Sequence, residues 1–410
     1  MKILIQKFGG TSLVHKGSRK FVIDHISSAL KEFEKVIVVV SALGRKPNPY
    51  ATDTLLGLVD FPNHSLSYRE LDLLMSTGEI ISSIVLTNEL KQIQVKAHAM
   101  TGFQAGIITT ADYTNAKIKH IQPINISKVL QKKDVIVVAG FQGETIRREI
   151  TTLGRGGSDI TASALGAALQ AEGIEIYTDV LGVMTADPNI VPAAQPIKVA
   201  NYAEMKNLAY HGAKVIHPRA IEIAMKEEIP LKIKSTYTNS EGTIITTNKN
   251  KKNFTINEQF HTGVTYIRNL SQFHIQLREK ESSLQTKIFK QISKQGITLD
   301  FINISPTKLS FTSSKEDSSQ VEKILFSLGI YPKIIYNCSK ISIVGMSVST
   351  DPLILPKVVE SLTDEGIPIL QSADQYPSLS LLIEEDNLTK AMNNLHKSLC
   401  VNNNILKEKR

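Results

Sequence analysis

Residues 1 to about 245 alternate short β-branched runs with amphipathic stretches, and this alternation restricts the fold more than any other feature of the chain. It specifies an α/β domain, an open and mostly parallel sheet sandwiched by helices. Lys2–Gln6, Val36–Val40, Val135–Ala139, Ile174–Thr178 and Leu231–Lys234 are the expected buried strands, each leading into a polar or glycine-bearing loop. Ligands of open α/β sheets bind at such loops, beyond the carboxyl ends of the strands. At 410 residues the chain is too long for a single hydrophobic core, so two or three domains are expected.

The first domain is expected to span 1–245, and the lysine- and asparagine-rich stretch 246–262, which lacks hydrophobic periodicity, reads as a linker. An internal repeat follows. FKQISKQGITLDFINIS and VESLTDEGIPILQSAD align with Gly296 and Gly366 offset by 366 − 296 = 70 residues. At that offset Lys287 meets Lys357, Ile297 meets Ile367 and Leu299 meets Ile369, while the strands FHIQL and ISIVG lie near each other. Each unit, 263–338 and 339–410, reads β-α-β-β-α-β, a small α+β ferredoxin-like sandwich. Ser313–Ser319 reads as a short loop within the first of them.

Hydrophobic residues at 42% and charged residues at 21% describe a globular protein rather than a disordered one. No apolar run is long enough to span a bilayer, and MKILIQKFGG runs from a strand into a glycine turn rather than a signal sequence, so a cytoplasmic location and no membrane contact are expected. The net charge of +8 is spread along the chain apart from the terminal Lys407–Arg410 cluster, and no basic patch is interleaved with aromatic residues, which argues against nucleic acid. Cys338 and Cys400 are too few for a disulfide framework or a zinc site and read as buried or incidental thiols.

Three motifs carry chemistry. Lys7-Phe8-Gly9-Gly10-Thr11-Ser12 follows the first strand: two glycines let backbone N–H groups approach phosphate oxygens, and Lys7 adds a compact cation. It is not a Walker A loop, whose lysine follows the glycines, and a plain strand-to-helix turn explains it equally well. Gly154-Arg155-Gly156-Gly157-Ser158-Asp159 opens an alanine-rich helix, where a nest of backbone donors and a bidentate arginine suit a carboxylate or phosphate, with Asp159 an organiser or a helix-start acid. Thr178-Asp179 and Met184-Thr185-Ala186-Asp187 end a strand and enter a loop; they suit ribose and base, or only Asx-type turns. Glu79 in STGEI and Lys214 in HGAKVIHP each follow a glycine turn that can aim a charge into a cleft.

KFGGTS, VVVSALG, STGEI, VVAGFQG, TTLGRGGSD, YTDVLGVMTADP and AYHGAKVIHP occur in the order found in the amino acid kinase family, and together they resemble its aspartate kinase branch across essentially the whole first 245 residues. GRKPNPYATDTLLGL, the length and QSAD resemble the diaminopimelate-sensitive form of Gram-positive bacteria. The resemblance implies transfer of the ATP γ-phosphoryl group to the β-carboxylate of L-aspartate, giving 4-phospho-L-aspartate at the head of lysine, diaminopimelate, threonine and methionine synthesis. It further implies that the C-terminal repeat is a pair of ACT units that senses an end-product amino acid, meso-diaminopimelate, lysine or threonine, and builds a homodimer.

By the same resemblance Lys7 neutralises the transferring phosphoryl group, Gly9 and Gly10 donate to it, and Asp159 organises the centre. Arg155, with Gly156, Gly157 and Ser158 beside it, holds the aspartate α-carboxylate, Glu79 its ammonium, and Thr52 and Asp53 line the substrate loop. Phe8, Ser41, Thr178, Asp179, Met184, Asp187 and Lys214 join the ATP-binding set. Mg²⁺ arrives with the nucleotide, held by phosphates and water. Asn303-Ile304 and Gln371-Ser372, at equivalent strand edges, are the effector candidates, and the strand near Gly263–Ile267 joins the second ACT unit rather than the first. Two other readings stand beside this one. A kinase acting on glutamate or N-acetylglutamate is opposed by GRGGSD and the paired C-terminal units; a non-catalytic amino-acid sensor is opposed by the joint presence of Lys7, Glu79, Arg155 and Asp159.

Overall fold

The structure, a computed structural model, describes residues 1–213, 215–247, 263–277, 282–345, 348 and 351–401. Residues 248–262 of the expected linker 246–262, Lys214 and the Lys407–Arg410 cluster lie outside the described residues. The chain forms two compact units, one of Met1–Val183, Pro196–Ala209 and Lys214–Ile256, the other of Met184–Gln195, Tyr210–Ala213 and Asn257–Arg410. Among the described residues no helix is long and apolar enough to cross a membrane.

In chain order the first unit contains strands β1 (Ile3–Phe8), β2 (Lys35–Val40), β3 (Ala97–Met100), β4 (Ile107–Thr109), β5 (Ile118–Ile121), β6 (Val135–Ala139), β7 (Gln142–Glu144), β8 (Ile150–Thr152), β9 (Gly173–Thr178), β10 (Val199–Asn201), β11 (Leu231–Ser235) and β12 (Thr243–Thr246). Its helices are α1 (Gly10–Leu13), α2 (Lys16–Ala29), α3 (Thr52–Gly57), α4 (Tyr68–Gln92), α5 (Ile124–Leu130), α6 (Gly157–Leu169), α7 (Tyr202–Tyr210) and α8 (Pro218–Lys226). An eight-stranded sheet runs β10-β12-β11-β9-β1-β2-β6-β3. Its central strands are parallel, and β2 and β6 are buried nearly end to end because helices cover both faces. The five strands expected from sequence are the five consecutive ones β11-β9-β1-β2-β6. A second sheet, β5-β4-β7-β8, consists of strands of three or four residues.

Two local features set the site. Ser67 and Glu70 form a reciprocal capping box that starts α4, with the Glu70 N–H donating to Ser67 Oγ at 3.3 Å and the Ser67 N–H to Glu70 Oε2 at 2.8 Å. Gly156 caps α6 with φ of +70°, and a side chain there would also meet His217 carbons at 2.4 to 2.6 Å, so both torsion and space demand glycine.

The second unit carries one six-stranded antiparallel sheet, β14-β15-β13-β16-β18-β17, built from β13 (Gly263–Gln276), β14 (Asp300–Ile304), β15 (Lys308–Ser314), β16 (Lys333–Val344), β17 (Gln371–Gln375) and β18 (Ser378–Glu384). Helices α9 (Ser282–Lys294), α10 (Lys315–Ser327), α11 (Ile354–Thr363) and α12 (Leu388–His396) belong to it. The repeat is visible in the packing. Ile288 and Val358, and Ile292 and Leu362, are buried counterparts at the 70-residue offset in separate cores, and Gly296 and Gly366 both turn with positive φ after their helices.

The early part of β13, Gly263–Ile267, pairs with Lys340–Val344 of β16, which in turn pairs with β18; its later part, Leu270–Gln276, pairs with β15. The expected crossing of the first strand is therefore present. Ser313–Ser319 is not a loop: β15 runs through Ser314, whose hydroxyl accepts the Asp317 N–H at 3.1 Å and starts α10 directly. Cys338 and Cys400 are shielded thiols whose burial pushes them up to about 11 and about 12. Phe311 is wholly buried and stacks on Phe273 at 5.3 Å. Phe311→Ala costs about 3–5 kcal/mol in this unit; hydrogen exchange should quicken in β13 and β15 while β1 and β2 keep their protection.

Candidate active site

The carboxyl ends of β1, β2 and β9 meet the amino ends of α1 and α6, so glycine loops and helix-start N–H groups converge on one region. A cleft of about 550 Å³ lies there. Eleven of the residues expected from sequence line it: Lys7, Gly10, Ser41, Thr52, Asp53, Glu79, Arg155, Gly156, Gly157, Ser158 and Asp159. Lys7 Nζ lies 2.7 Å from Asp159 Oδ1, both side chains largely shielded from water. The His217 N–H donates to Asp159 Oδ2 at 3.3 Å, tying the acid to the start of α8. Ser41 Oγ meets Ser158 Oγ at 3.0 Å, joining the β2 loop to α6. A Cβ on Gly10 would sit 2.5 Å from Ala42 O, so the first loop packs directly on the backbone of the second.

Glu79 lies in the middle of α4 and is 3% exposed. Its Oε1 accepts the Ala42 N–H at 3.1 Å while Oε2 is buried without a hydrogen bond. Burial with so little compensation raises its carboxyl from the ordinary range to about 8. A buried acid with one free oxygen facing a cleft is a receptor for a donor or a cation.

Several expected residues lie elsewhere. Phe8 is fully buried and stacks on Tyr177 at 4.6 Å, so it can reach a ligand only through its backbone. Thr178 ends β9 and its hydroxyl meets Asp179 Oδ1 at 3.1 Å, while Asp179 Oδ2 lies 3.8 Å from Arg45 on the surface. Met184 and Asp187 belong to the second unit, where Asp187 makes an Asx turn with the Asn189 N–H at 2.9 Å and accepts the Tyr266 hydroxyl at 2.9 Å.

The cleft also holds residues the sequence did not mark. Leu56, Phe61, Tyr68, Leu71 and Met75 form an apolar wall, and Thr114 enters with φ of +67°. His217 packs on Gly156. The helical spacing of Tyr68, Leu71 and Met75 marks an apolar face of α4 without telling cleft from core, and Leu56 and Phe61, outside that helix, carry no such signal.

The second unit has its own cavity of about 400 Å³, lined by Asn303, Gln371 and Ser372 together with His211, Asp300 and Lys340. Lys340 pairs with Asp300 there. His211 donates to or accepts from Ser378 Oγ at 3.2 Å, and burial, with Lys340 nearby, lowers its imidazole to about 4. Asn303 and Ile304 close β14 whereas Gln371 and Ser372 open β17, so the two pairs are not at matched positions as expected, and Ile304 does not line the cavity.

The family model "Amino acid kinase family" matches residues 2–235, and an ACT domain model matches 333–397. The chain is 46% identical over 398 residues to Aspartokinase 1 of Bacillus subtilis, covering 97% of this chain and 98% of that one. It is 36% identical to the aspartokinase of Geobacillus stearothermophilus over 97% of both. Its fold matches that of E. coli aspartokinase III in complex with aspartate and ADP with a TM-score of 0.78 at 23% identity, over 97% of this chain and 100% of that one.

Glu79 also generates a stability test. Its carboxyl titrates near 8 in the folded chain but near 4.3 when unfolded, so between these values the native state holds the extra proton and stability falls as pH rises. The melting temperature of Glu79→Gln relative to wild type should climb from pH 5 to pH 8 and level off above; a constant difference would contradict the raised acid.

Proposed function

The chain belongs to the amino acid kinase family as one of its aspartate kinases, and from that premise we propose that the 550 Å³ cleft is where L-aspartate meets the γ-phosphate of ATP. The observation that carries this reading is the shared cleft of the Lys7–Asp159 pair, Glu79 and Arg155, which supplies a cation for phosphate and complementary groups for a zwitterion. The β-carboxylate of aspartate is already ionised at neutral pH and needs no general base. One of its oxygens attacks the γ-phosphorus in line, the bond to the bridging oxygen breaks, and its electron pair leaves with ADP. No proton is transferred in the step.

Charge spreads over the equatorial phosphoryl oxygens in the transition state, so fixed cations and N–H donors supply the catalysis. Lys7 and the backbone of Gly9 and Gly10 meet that charge, and Asp159 holds Lys7 in place. Arg155 grips the α-carboxylate and Glu79 accepts the α-ammonium, with Thr52 and Asp53 along the substrate loop. Gly156, Gly157 and Ser158 support that end, and Ser41, Thr178 and Asp179 surround the nucleotide. Mg²⁺ enters with ATP as part of the substrate.

The division into a catalytic domain, 1–245, and two ACT units, 263–338 and 339–410, is part of the same reading. An end-product amino acid binds the regulatory unit in the cavity beside Lys340 and Asp300, a pair able to receive a carboxylate and an ammonium. Meso-diaminopimelate is the first effector to test, with lysine and threonine beside it. Edge strand β14 exposes Ile302 and Ile304, a surface that suits a second copy of the chain in a cytoplasmic homodimer.

The test is ADP release from Mg-ATP with L-aspartate, L-glutamate or no amino acid. Turnover should require aspartate, and Lys7→Ala should lower kcat about 10²- to 10³-fold in protein that keeps its circular-dichroism spectrum. Absence of aspartate-dependent turnover in folded protein would overturn the reading. Because protonated Glu79 offers an ammonium no negative charge, kcat/KM for aspartate should fall as pH drops below about 8, a dependence absent in Glu79→Gln.

A further inference from the structure

Helix α4 carries a second buried acid, Asp72, seven residues before Glu79 and therefore on the same face. It is fully buried and lies outside the residues that line the cleft. The Thr114 N–H reaches both of its oxygens at 3.0 Å, the Thr152 N–H donates to Oδ2 at 3.0 Å, and the Thr152 hydroxyl donates to Oδ1 at 2.5 Å. One carboxylate thus joins three segments distant in sequence: α4, the Thr114 turn and the end of β8.

Both partners lead to Arg155. Thr152 is three residues before it, and the Thr114 turn packs on Gly154, where a Cβ would meet Asn115 Oδ1 at 3.0 Å and Thr114 O at 3.2 Å. The Ala116 N–H donates to Thr152 O at 2.9 Å and locks the two segments together. Arg155 is itself exposed on the cleft, so its placement depends on the backbone that bears it. We infer that Asp72 is a positioning residue for substrate binding, holding Arg155 where it can grip the aspartate α-carboxylate through the Thr114 turn and the end of β8.

This inference rests on Arg155 being the aspartate clamp. An acid is required because all three donors point at it, and an asparagine amide would turn its own donors against one of them. The desolvation of the acid, which raises its pKa, is opposed by those same Thr152 and Thr114 hydrogen bonds.

The experiment is steady-state kinetics of the full chain with Mg-ATP and L-aspartate. Asp72→Asn should raise KM for aspartate about tenfold or more with KM for ATP within about twofold, because a small misplacement of a clamp costs binding at that clamp alone. Thr152→Val, which removes only the hydroxyl donor, should act in the same direction by about threefold, and it carries the test if Asp72→Asn does not fold. In an Arg155→Ala background neither change should raise KM for aspartate further. Equal rises in both KM values, no rise, or effects that multiply with Arg155→Ala would overturn the inference. Arg155→Ala with an unaltered KM for aspartate would instead remove the clamp itself, a result distinguishable from the others because it needs no change at Asp72.

Discussion

The ion pair between Lys7 and Asp159 is the constraint around which the catalytic unit is arranged. With the two groups 2.7 Å apart and little exposed, neither can be left alone, since breaking such a pair typically costs about 3–5 kcal/mol. The pair therefore fixes the end of β1 against the first turn of α6. Each bears its partner in place by other means: β1 is held in register between β2 and β9, and Asp159 is fixed by the His217 N–H. In the proposed reaction a polyanion arriving at Lys7 would meet a cation already oriented, so little reorganisation would accompany the development of charge in the transition state.

The regulatory unit answers a different constraint. A β-α-β-β-α-β module leaves strand edges open, and here β13 and β16 each run through both repeats, so the two cores share one sheet. The result is two separate helix-covered cores, one around Phe273 and Phe311 and the other around Ile341 and Leu381. A displacement of either long strand is felt in both cores, because packed interiors transmit strain rather than absorb it. That continuity is a physical basis for a ligand in one repeat to alter the other.

The strands legible in the sequence were those buried on both faces, since β2, Lys-Val-Ile-Val-Val-Val, has no other place to go. The outlying strands β3, β10 and β12 were not legible: they are three or four residues long and partly polar. The 70-residue repeat was legible because core positions recur with it, as Ile288 and Val358 show. Ser313–Ser319 misled because serine and acidic residues serve both turns and helix starts, and only the Ser314 cap distinguishes them. In the site, charged residues beside glycines were readable as a set, whereas the apolar wall of Phe61, Tyr68 and Met75 was not, since nothing local separates an apolar residue facing a cleft from one facing a core.

Asp72 and Glu79 show why a buried acid must be judged by its donors rather than by its burial. Both lie on one face of α4 and burial raises the pKa of both. Asp72 receives hydrogen bonds on both oxygens from the protein itself, which leaves it nothing to offer a ligand and makes it a tie between segments. Glu79 receives one, from Ala42, and its second oxygen is left without a partner. An unpartnered buried acceptor is unfavourable by about 1–3 kcal/mol or more, and such a cost is sustained where a ligand donor removes it. The same helix therefore carries an acid satisfied within the protein and an acid with one oxygen left open, seven residues apart, and the difference is written in the backbone N–H groups that surround them, which the sequence of the helix alone does not contain.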